Sequence, residues 1–526
     1  MPTHDIAEYA PHTDTTPEGT NVPLVARMVP KIATPKSRST FASDVLKLVS
    51  GSASAQVLTI LTAPLIARLF APAAFGVAAV FVSITGVISA VVGMRYELSI
   101  VLPKDDGDAA NAMAVSLSFM ALTSALTGLL LVFVGNQLLH WLHAPELHNY
   151  LWLVPVMVML NGVFAALSYW NTRKKHFGRQ TIAQVAGASF FVLAQITAGL
   201  SGHRSGGIII IATILAILLN TALLGSQTAW ESWRMFAENV RPRRMWQTLK
   251  RYRNFPKFST ASALLSNIGW QIPTFVLSAY FSATVVGHYA LGNKVLRIPV
   301  SLVGANIATV FFQHASEVRH QGTLRKSMDK MFRYLIAIFL FPSLMLCLIG
   351  KDLCLVAFGS RWAEAGLYIE IMSTYVLFWF MAVPMGNVLN VLEKQALELR
   401  LISLILVADA AALLIGGTLG DARLALALFS GVGILGYGYF CVVVLRLCEV
   451  PVSAMVVVMI TKAAVFLPAA IIILGLKWFG VPPVFILAVS AILLALYYGH
   501  LIRTDPTGRE ILSGIIRKLT PAKSHA

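Results

Sequence analysis

The feature that most constrains this chain is an apolar stretch of about twenty residues that recurs, between short polar breaks, from residue 44 to residue 503. A helix needs about 20 consecutive apolar residues to cross a bilayer. Inside lipid a spanning helix also satisfies its own backbone hydrogen bonds, which an open strand cannot do. The stretches predict helices over 44–70, 74–95, 109–135, 149–172, 180–200, 206–228, 258–281, 285–312, 327–349, 366–392, 397–418, 422–446, 451–475 and 482–503. That is an all-α polytopic membrane protein with about fourteen transmembrane helices and almost no extramembrane domain. Composition agrees. Only 12% of residues are charged, against roughly 25% in soluble domains. An ordinary water-soluble enzyme, a disordered chain and a solenoid with a solvated face are excluded.

Fourteen is even, so both termini are expected on one side. The 41 Lys and Arg fix which side. With the N-terminus cytoplasmic, 31 of them fall in or beside cytoplasmic segments and 6 beside the opposite loops. The other four, Lys47, Lys294, Arg297 and Lys462, lie inside spans. Positive residues collect in cytoplasmic loops, so the bacterial inner membrane with both termini cytoplasmic is the expected placement. Topology thereby accounts for most of the +17 net charge, and no nucleic acid is needed as a partner.

The organisation read from the segments has six parts: a flexible cytoplasmic tail (1–43), an N-lobe of six helices (44–228), a basic cytoplasmic loop (229–257), a C-lobe of six helices (258–446), two further helices (451–503) and a cytoplasmic tail (504–526). No apolar stretch with a charged leader opens the chain, so no cleavable signal peptide is expected. In the basic loop, Arg241, Arg243, Arg244, Lys250, Arg251 and Arg253 alternate with Trp246, Leu249, Tyr252 and Phe255. That mixture suits a helix lying on anionic lipid headgroups. In the C-terminal tail Ile511, Leu512, Ile515, Ile516 and Leu519 share one helical face, beside Arg517 and Lys518, and carry the same expectation.

A weak internal repeat joins the halves. Leu69-Phe70-Ala71-Pro72-Ala73-Ala74-Phe75-Gly76 aligns without a gap on Tyr280-Phe281-Ser282-Ala283-Thr284-Val285-Val286-Gly287, an offset of 211. The same register sets Gln56 against Asn267 and Ser83 against Lys294. Six helices separate the copies, so the repeat is parallel, and it implies two six-helix lobes about an axis along the membrane normal.

The turn between the first two helices, an aromatic followed six residues later by Gly76, resembles that of Wzx-type polysaccharide flippases. These belong to the multidrug/oligosaccharidyl-lipid/polysaccharide exporter superfamily. Arg95-Tyr96-Glu97-Leu-Ser-Ile-Val-Leu-Pro103 and Leu291-Gly-Asn-Lys294-Val-Leu-Arg297-Ile-Pro299 also look like that family, and the resemblance covers about residues 44–450. It implies export of an undecaprenyl-diphosphate-linked oligosaccharide for cell-surface polysaccharide synthesis, by alternating access. It also implies a polysaccharide polymerase and chain-length machinery as neighbours.

Charges at mid-bilayer cost several kcal/mol and are functional candidates by default. Lys294 lies about 15 Å into its helix at 1.5 Å per residue, and Arg297 follows three residues later on the same side. Two such cations suit a sugar-linked diphosphate. Asn267 and Gln271, four residues apart, can offer amides to sugar hydroxyls; helix–helix hydrogen bonding is the alternative. Asp409 and Lys462 are each about twelve residues deep, placed either to pair across the lobe or, for Asp409, to couple transport to an ion. Arg95 and Glu97 mark the cytoplasmic end of the second helix, as a gate or a structural pair.

Enzyme chemistry finds little support. Gly287-His-Tyr-Ala-Leu-Gly292-Asn-Lys294 departs from a phosphate-binding loop at Asn293 and lies in a membrane helix. Cys347, Cys354, Cys441 and Cys448 lack ligand spacing. No metal and no cofactor is expected. A polysaccharide polymerase or ligase would need a large outer loop. A drug or organic-cation antiporter of the same fold, the other alternative, would need an acidic cavity.

Overall fold

The computed structural model describes residues 38–300 and 324–504. They form fifteen α-helices, with short 3₁₀ and π turns and no strand among the described residues. In chain order these are α1 (Arg38–Leu69), α2 (Pro72–Ser89), α3 (Asp106–Trp141), α4 (Leu153–Arg173), α5 (Phe177–Leu200), α6 (Gly206–Asn239), α7 (Pro242–Arg251), α8 (Thr260–Tyr280), α9 (Ala283–Pro299), α10 (Leu324–Phe358), α11 (Ala363–Val391), α12 (Gln395–Thr418), α13 (Ala422–Leu447), α14 (Val452–Trp478) and α15 (Pro483–Thr504). Apart from α7, they occupy the places of the fourteen apolar segments. The C-terminal stretch 509–519, most of the N-terminal tail and the second half of the predicted eighth segment lie outside the described residues.

Eleven of these helices are long and apolar enough to cross a membrane unaided. Of the remaining four, α8 and α9 are informative. Asn267 and Gln271 dilute α8, and Lys294 and Arg297 dilute α9. Polar residues at mid-span stay in a membrane only where protein or a water-filled cavity surrounds them. The two helices weakest as lipid-facing elements, α8 and α9, both pack on α2 of the other lobe.

Packing repeats with the sequence. In the first lobe α1 packs on α5, α2 on α4, α3 on α4, α4 on α6 and α5 on α6. In the second, α8 packs on α12, α9 on α11, α10 on α11, α11 on α13 and α12 on α13. Advancing each helix of the first set by six spans generates the second set.

The lobes meet where α2 crosses α9, at a reciprocal glycine contact. A Cβ on Gly76 would overlap the Ala283 carbonyl, and one on Gly287 would overlap the Pro72 carbonyl. Ala283 and Gly287 stand 211 residues beyond Pro72 and Gly76, so each contact is the repeat image of the other. Only glycine lets two backbones approach this closely. Around the crossing, on the face away from the basic loop, buried Trp362 donates its indole N–H to the Ala67 carbonyl (2.7 Å) and meets Phe75 edge-on at 5.0 Å. Arg68 donates to the Val356 carbonyl (2.7 Å) and Ser278 to the Leu142 carbonyl. These contacts close the lobes together on that side.

The basic face is built differently. Asp106, in the first turn of α3, pairs with Arg173 (2.9 Å) and Lys174 (2.5 Å), and Arg179 pairs with Glu231 (2.5 Å). Helix α6 runs to Asn239, eleven residues past the expected end, before Pro242 opens α7. The extension carries Trp230 and Trp233, both exposed, as suits the membrane interface. Within α7, Lys250 lies over the Trp246 ring at 5.4 Å. Helices α14 and α15 attach chiefly to α10. Phe341 stacks on Tyr497 at 4.3 Å, and Lys477 reaches Asp352 at 2.8 Å.

Candidate functional site: a crevice and a groove on two sides of one helix

The site is organised by α9, which presents different residues to three neighbours. Gly287 faces α2. Gly292 packs against Ala365 and Ile369 of α11. Tyr289, Asn293 and Arg297 line a groove inside the second lobe. Lys294 is seven residues beyond Gly287, so two helical turns return it to the α2-facing side. Its side chain is exposed and does not line the groove. With Ser83 as its repeat image on α2, Lys294 is assigned by this periodicity to the crevice between the lobes. Among the described residues it forms no ion pair.

Helix α8 is divided in the same way. Asn267, Gln271 and Ser278 fall on one side of it. There Gln271 accepts a hydrogen bond from Ser83 at 2.8 Å and Ser278 binds the first lobe. Asn267 donates to the Ala263 carbonyl one turn back, at 2.9 Å. Gly269, Trp270 and Pro273 turn instead toward the groove. Pro273 has no amide hydrogen for the Gly269 carbonyl, so that helical hydrogen bond is not made.

The groove has a volume of about 890 Å³. It opens at the basic face near Lys257, Gln395 and Glu398 and ends at Asp409, roughly 16 Å deeper by the rise of α12. Arg297 lies 4.1 Å from the Trp270 ring centre and 5.7 Å from that of Trp379. The two indoles meet edge to face at 5.1 Å. A guanidinium held by two rings stays charged and oriented without a carboxylate partner, and no ion pair to Arg297 is present among the described residues. Tyr375 and Tyr437 complete the deep wall, 5.9 Å apart. Asp409 is buried there, with its Oδ1 enclosed and without a hydrogen-bond partner among the described residues.

The structure therefore separates Lys294 from Arg297, about 60° apart around α9: one faces the crevice, the other the groove. Asp409 and Lys462 are not joined either. Asp409 turns into the groove, whereas Lys462 belongs to α14, and no ion pair links them among the described residues. Arg95 and Glu97 do come together, at 3.6 Å. Arg95 has left-handed backbone (φ 59°) and starts a 3₁₀ turn, Tyr96–Val101, that buries Glu97. Burial pushes the Glu97 carboxyl above its ordinary range, while a backbone hydrogen bond and the Arg95 charge pull it back. The Tyr96 hydroxyl donates to the Leu249 carbonyl of α7 at 3.3 Å. The pair thus lies where α7 is tied to the first lobe.

Sequence reasoning missed Trp270, Trp379, Tyr375 and Tyr437. One signal was present. Tryptophan in membrane helices collects at the two interfaces, yet Trp270 and Trp379 sit at mid-helix, where a ring needs another reason to be. Among the described residues no group of His, Cys, Asp or Glu is placed to hold a metal ion.

Three comparisons bear on this arrangement. Residues 65–366 match the family model described as "Polysaccharide biosynthesis protein". The chain is 23% identical over 313 residues to the succinoglycan biosynthesis transport protein ExoT of Rhizobium meliloti, a match spanning 59% of this chain and 60% of that protein. It is 27% identical over 154 residues to an uncharacterized membrane protein in the cps region of Klebsiella pneumoniae, covering 29% of this chain and 32% of the relative. The matched stretches thus span about a third and three-fifths of these relatives' lengths. Among solved structures, the lipid II flippase MurJ in an inward closed conformation superposes with a TM-score of 0.60 at 12% identity, covering 88% of this chain and 98% of that one. An inward-facing multidrug resistance MATE family transporter of the MOP superfamily superposes with a TM-score of 0.50 at 13% identity, covering 77% and 95%. At these identities the likeness concerns the fold.

Proposed function

This chain belongs to the polysaccharide biosynthesis protein family, and from that premise we propose that it moves an undecaprenyl-diphosphate-linked oligosaccharide across the bacterial inner membrane. The observation that carries this reading is Lys294, a cation at mid-depth in the crevice between two repeat-related lobes, without a counter-ion among the described residues. A diphosphate supplies the missing charge. Asn267 and Gln271 on α8 face the same crevice and offer amides to the first sugar, while Arg297 adds a second cation across α9. The prenyl tail stays in lipid.

In this reading the basic face is cytoplasmic and both termini lie on that side. The lobes are shut together on the periplasmic side by the Gly76–Gly287 crossing and Trp362. Outward release requires that crossing to part while the cytoplasmic side closes, a rocking of two rigid bundles about a fixed site. An inside-negative potential favours outward movement of an anion by about 2.3 kcal/mol per charge per 100 mV. Asp409 is the candidate for any ion that resets the cycle. Helix α7, with its arginines, Lys250 and exposed Trp246, rests on anionic headgroups. A polymerase and chain-length machinery would receive the product.

The test is a deletion strain. Lipid-linked oligosaccharide should accumulate on the cytoplasmic leaflet, and the intact gene should clear it. Accumulation on the periplasmic leaflet, or none at all, overturns the assignment.

A further inference from the structure

The account above places the diphosphate in the crevice and draws only Arg297 and Asp409 from the groove inside the second lobe, leaving its aromatic walls without a role. Its walls are chemically unusual for a membrane interior. Trp270 is 42% exposed although it lies at mid-helix, so an indole face borders the open space. Trp379, Tyr375 and Tyr437 add flat or hydroxyl-bearing surface from α11 and α13. Asn293 adds a neutral polar group. Asp409 ends the groove with an enclosed oxygen that has no hydrogen-bond partner among the described residues.

Flat aromatic faces beside a few convergent hydrogen-bonding groups match one ligand class well. A pyranose ring has an apolar C–H face that covers an aromatic ring, and its rim of hydroxyls both donates and accepts. A carboxylate oxygen without a partner is an acceptor for a hydroxyl, and a site built to bind hydroxyls leaves its groups unsatisfied when they are missing. An organic cation would also suit aromatic rings and a carboxylate, but Arg297 occupies the Trp270 face in the same groove and opposes a second positive charge.

We propose that this groove is a saccharide subsite, in which a sugar ring of the cargo packs against Trp379 beside the Arg297–Trp270 pair and its hydroxyls bind Asp409. The inference rests on the transport reading and extends it. Tyr289, Asn293 and Arg297 face the sugar while Lys294, on the adjoining side of the same helix, faces the diphosphate. One helix thus reads both halves of the cargo. The subsite belongs to one lobe only. At an offset of 211, Trp270 corresponds to Thr59, Tyr289 to Ala78, Asn293 to Val82 and Arg297 to Gly86, and none of these offers a ring or a charge.

The experiment uses the full chain in phospholipid nanodiscs. The probe is the free oligosaccharide released by mild acid from the host's lipid-linked pool, and binding is followed by saturation-transfer NMR and titration calorimetry. Saturable binding is expected, uncompeted by excess inorganic diphosphate. Trp379→Ala should weaken it about tenfold or more, and Asp409→Asn about fivefold. Trp379→Phe, which keeps a ring, should retain more binding than Trp379→Ala, while the surface control Trp230→Ala should stay near wild type. Trp379→Leu preserves volume, so a loss of binding with an unchanged melting curve separates stacking from folding. No saturable binding to the wild type, equal binding to Trp379→Leu, or capture of tetraethylammonium in preference to sugar overturns the subsite. The two readings fail separately. A wild-type protein that binds the sugar but flips no lipid-linked cargo refutes transport alone. A Trp379→Leu protein that flips cargo at the wild-type rate refutes the subsite alone.

Discussion

The two lobes share a packing plan and differ in what they enclose. At the crossing they are near images, since Gly76 and Gly287 each admit the other's backbone. Two turns farther along, α2 carries Ser83 and α9 carries Lys294. Ser83 spends its hydroxyl on Gln271 at 2.8 Å, and Lys294 has no ion pair among the described residues. The contrast continues into the lobes. The first lobe fastens its basic face with Asp106, Arg173, Lys174, Arg179 and Glu231. The second holds a groove of about 890 Å³ with Arg297 and Asp409 inside it. A repeat preserves the frame because the frame depends on close backbone approach. It does not preserve chemistry: Lys294, Arg297 and the groove belong to the second lobe.

The largest expected effect comes from making the second lobe resemble the first at this position. Lys294→Ser should cut affinity for the lipid-linked diphosphate by about 10- to 150-fold, the loss of one charge-assisted contact worth about 1.5–3 kcal/mol. Lys294→Glu should abolish transport, and Lys294→Arg should keep part of it. Each variant needs a check of membrane insertion, since a packing defect would imitate the effect. Binding of Lys294→Ser at wild-type strength would show that the crevice cation has no such role.

The crossing gives the next largest effect and tests the symmetry directly. Gly76→Val and Gly287→Val each force a side chain into a facing carbonyl, at a cost of about 1–3 kcal/mol. Melting of the two purified variants should fall by similar amounts. A large drop for one and none for the other would break the reciprocity.

These two effects mark what the sequence makes legible. Apolar length shows the spans, and the offset of 211 shows that Gly76 and Gly287 belong together, because both signals are local or collinear. Mid-span charge shows depth. It does not show which way a side chain turns about its helix once packing tilts and bends that helix. Lys294 and Arg297, three residues apart, therefore read as one site although they face different spaces. Asp409 and Lys462, matched in depth, read as a possible pair although α12 and α14 place them apart. The groove was hidden for a further reason. Its walls come from five helices spread over residues 257–440, and only packing brings Trp270, Trp379 and Asp409 together.

A smaller effect is expected at Arg297. Arg297→Lys keeps the charge but loses the planar guanidinium that two indoles hold. A cation–π contact contributes about 0.5–2 kcal/mol, so transport should fall roughly two- to thirtyfold, with the larger share of the loss in substrate affinity. A rate equal to wild type would show that the indoles do not need this group.

The smallest effect is at Glu97. Its carboxyl is raised by burial, so the folded chain favours the protonated form. The resulting stability is present below the ordinary carboxyl range and is lost as pH rises through the raised value. Glu97→Gln removes the ionisation and should flatten this dependence, shifting stability near neutrality by about 0.5 kcal/mol or less, or slightly upward. A strongly destabilised Glu97→Gln would assign the charged Arg95–Glu97 pair a larger structural role.

The central claim is that a cation in the crevice of the second lobe carries an anionic, lipid-linked sugar across the membrane. The most direct measurement reconstitutes wild type and Lys294→Ala at equal density and orientation in liposomes with a fluorescent prenyl-diphosphate oligosaccharide. Quenching of the outer leaflet then follows transbilayer movement. The account predicts movement by the wild type and a rate lower by about tenfold or more for Lys294→Ala at limiting substrate. Equal rates for the two proteins, or no movement by the wild type under an imposed potential and ion gradient, would contradict it.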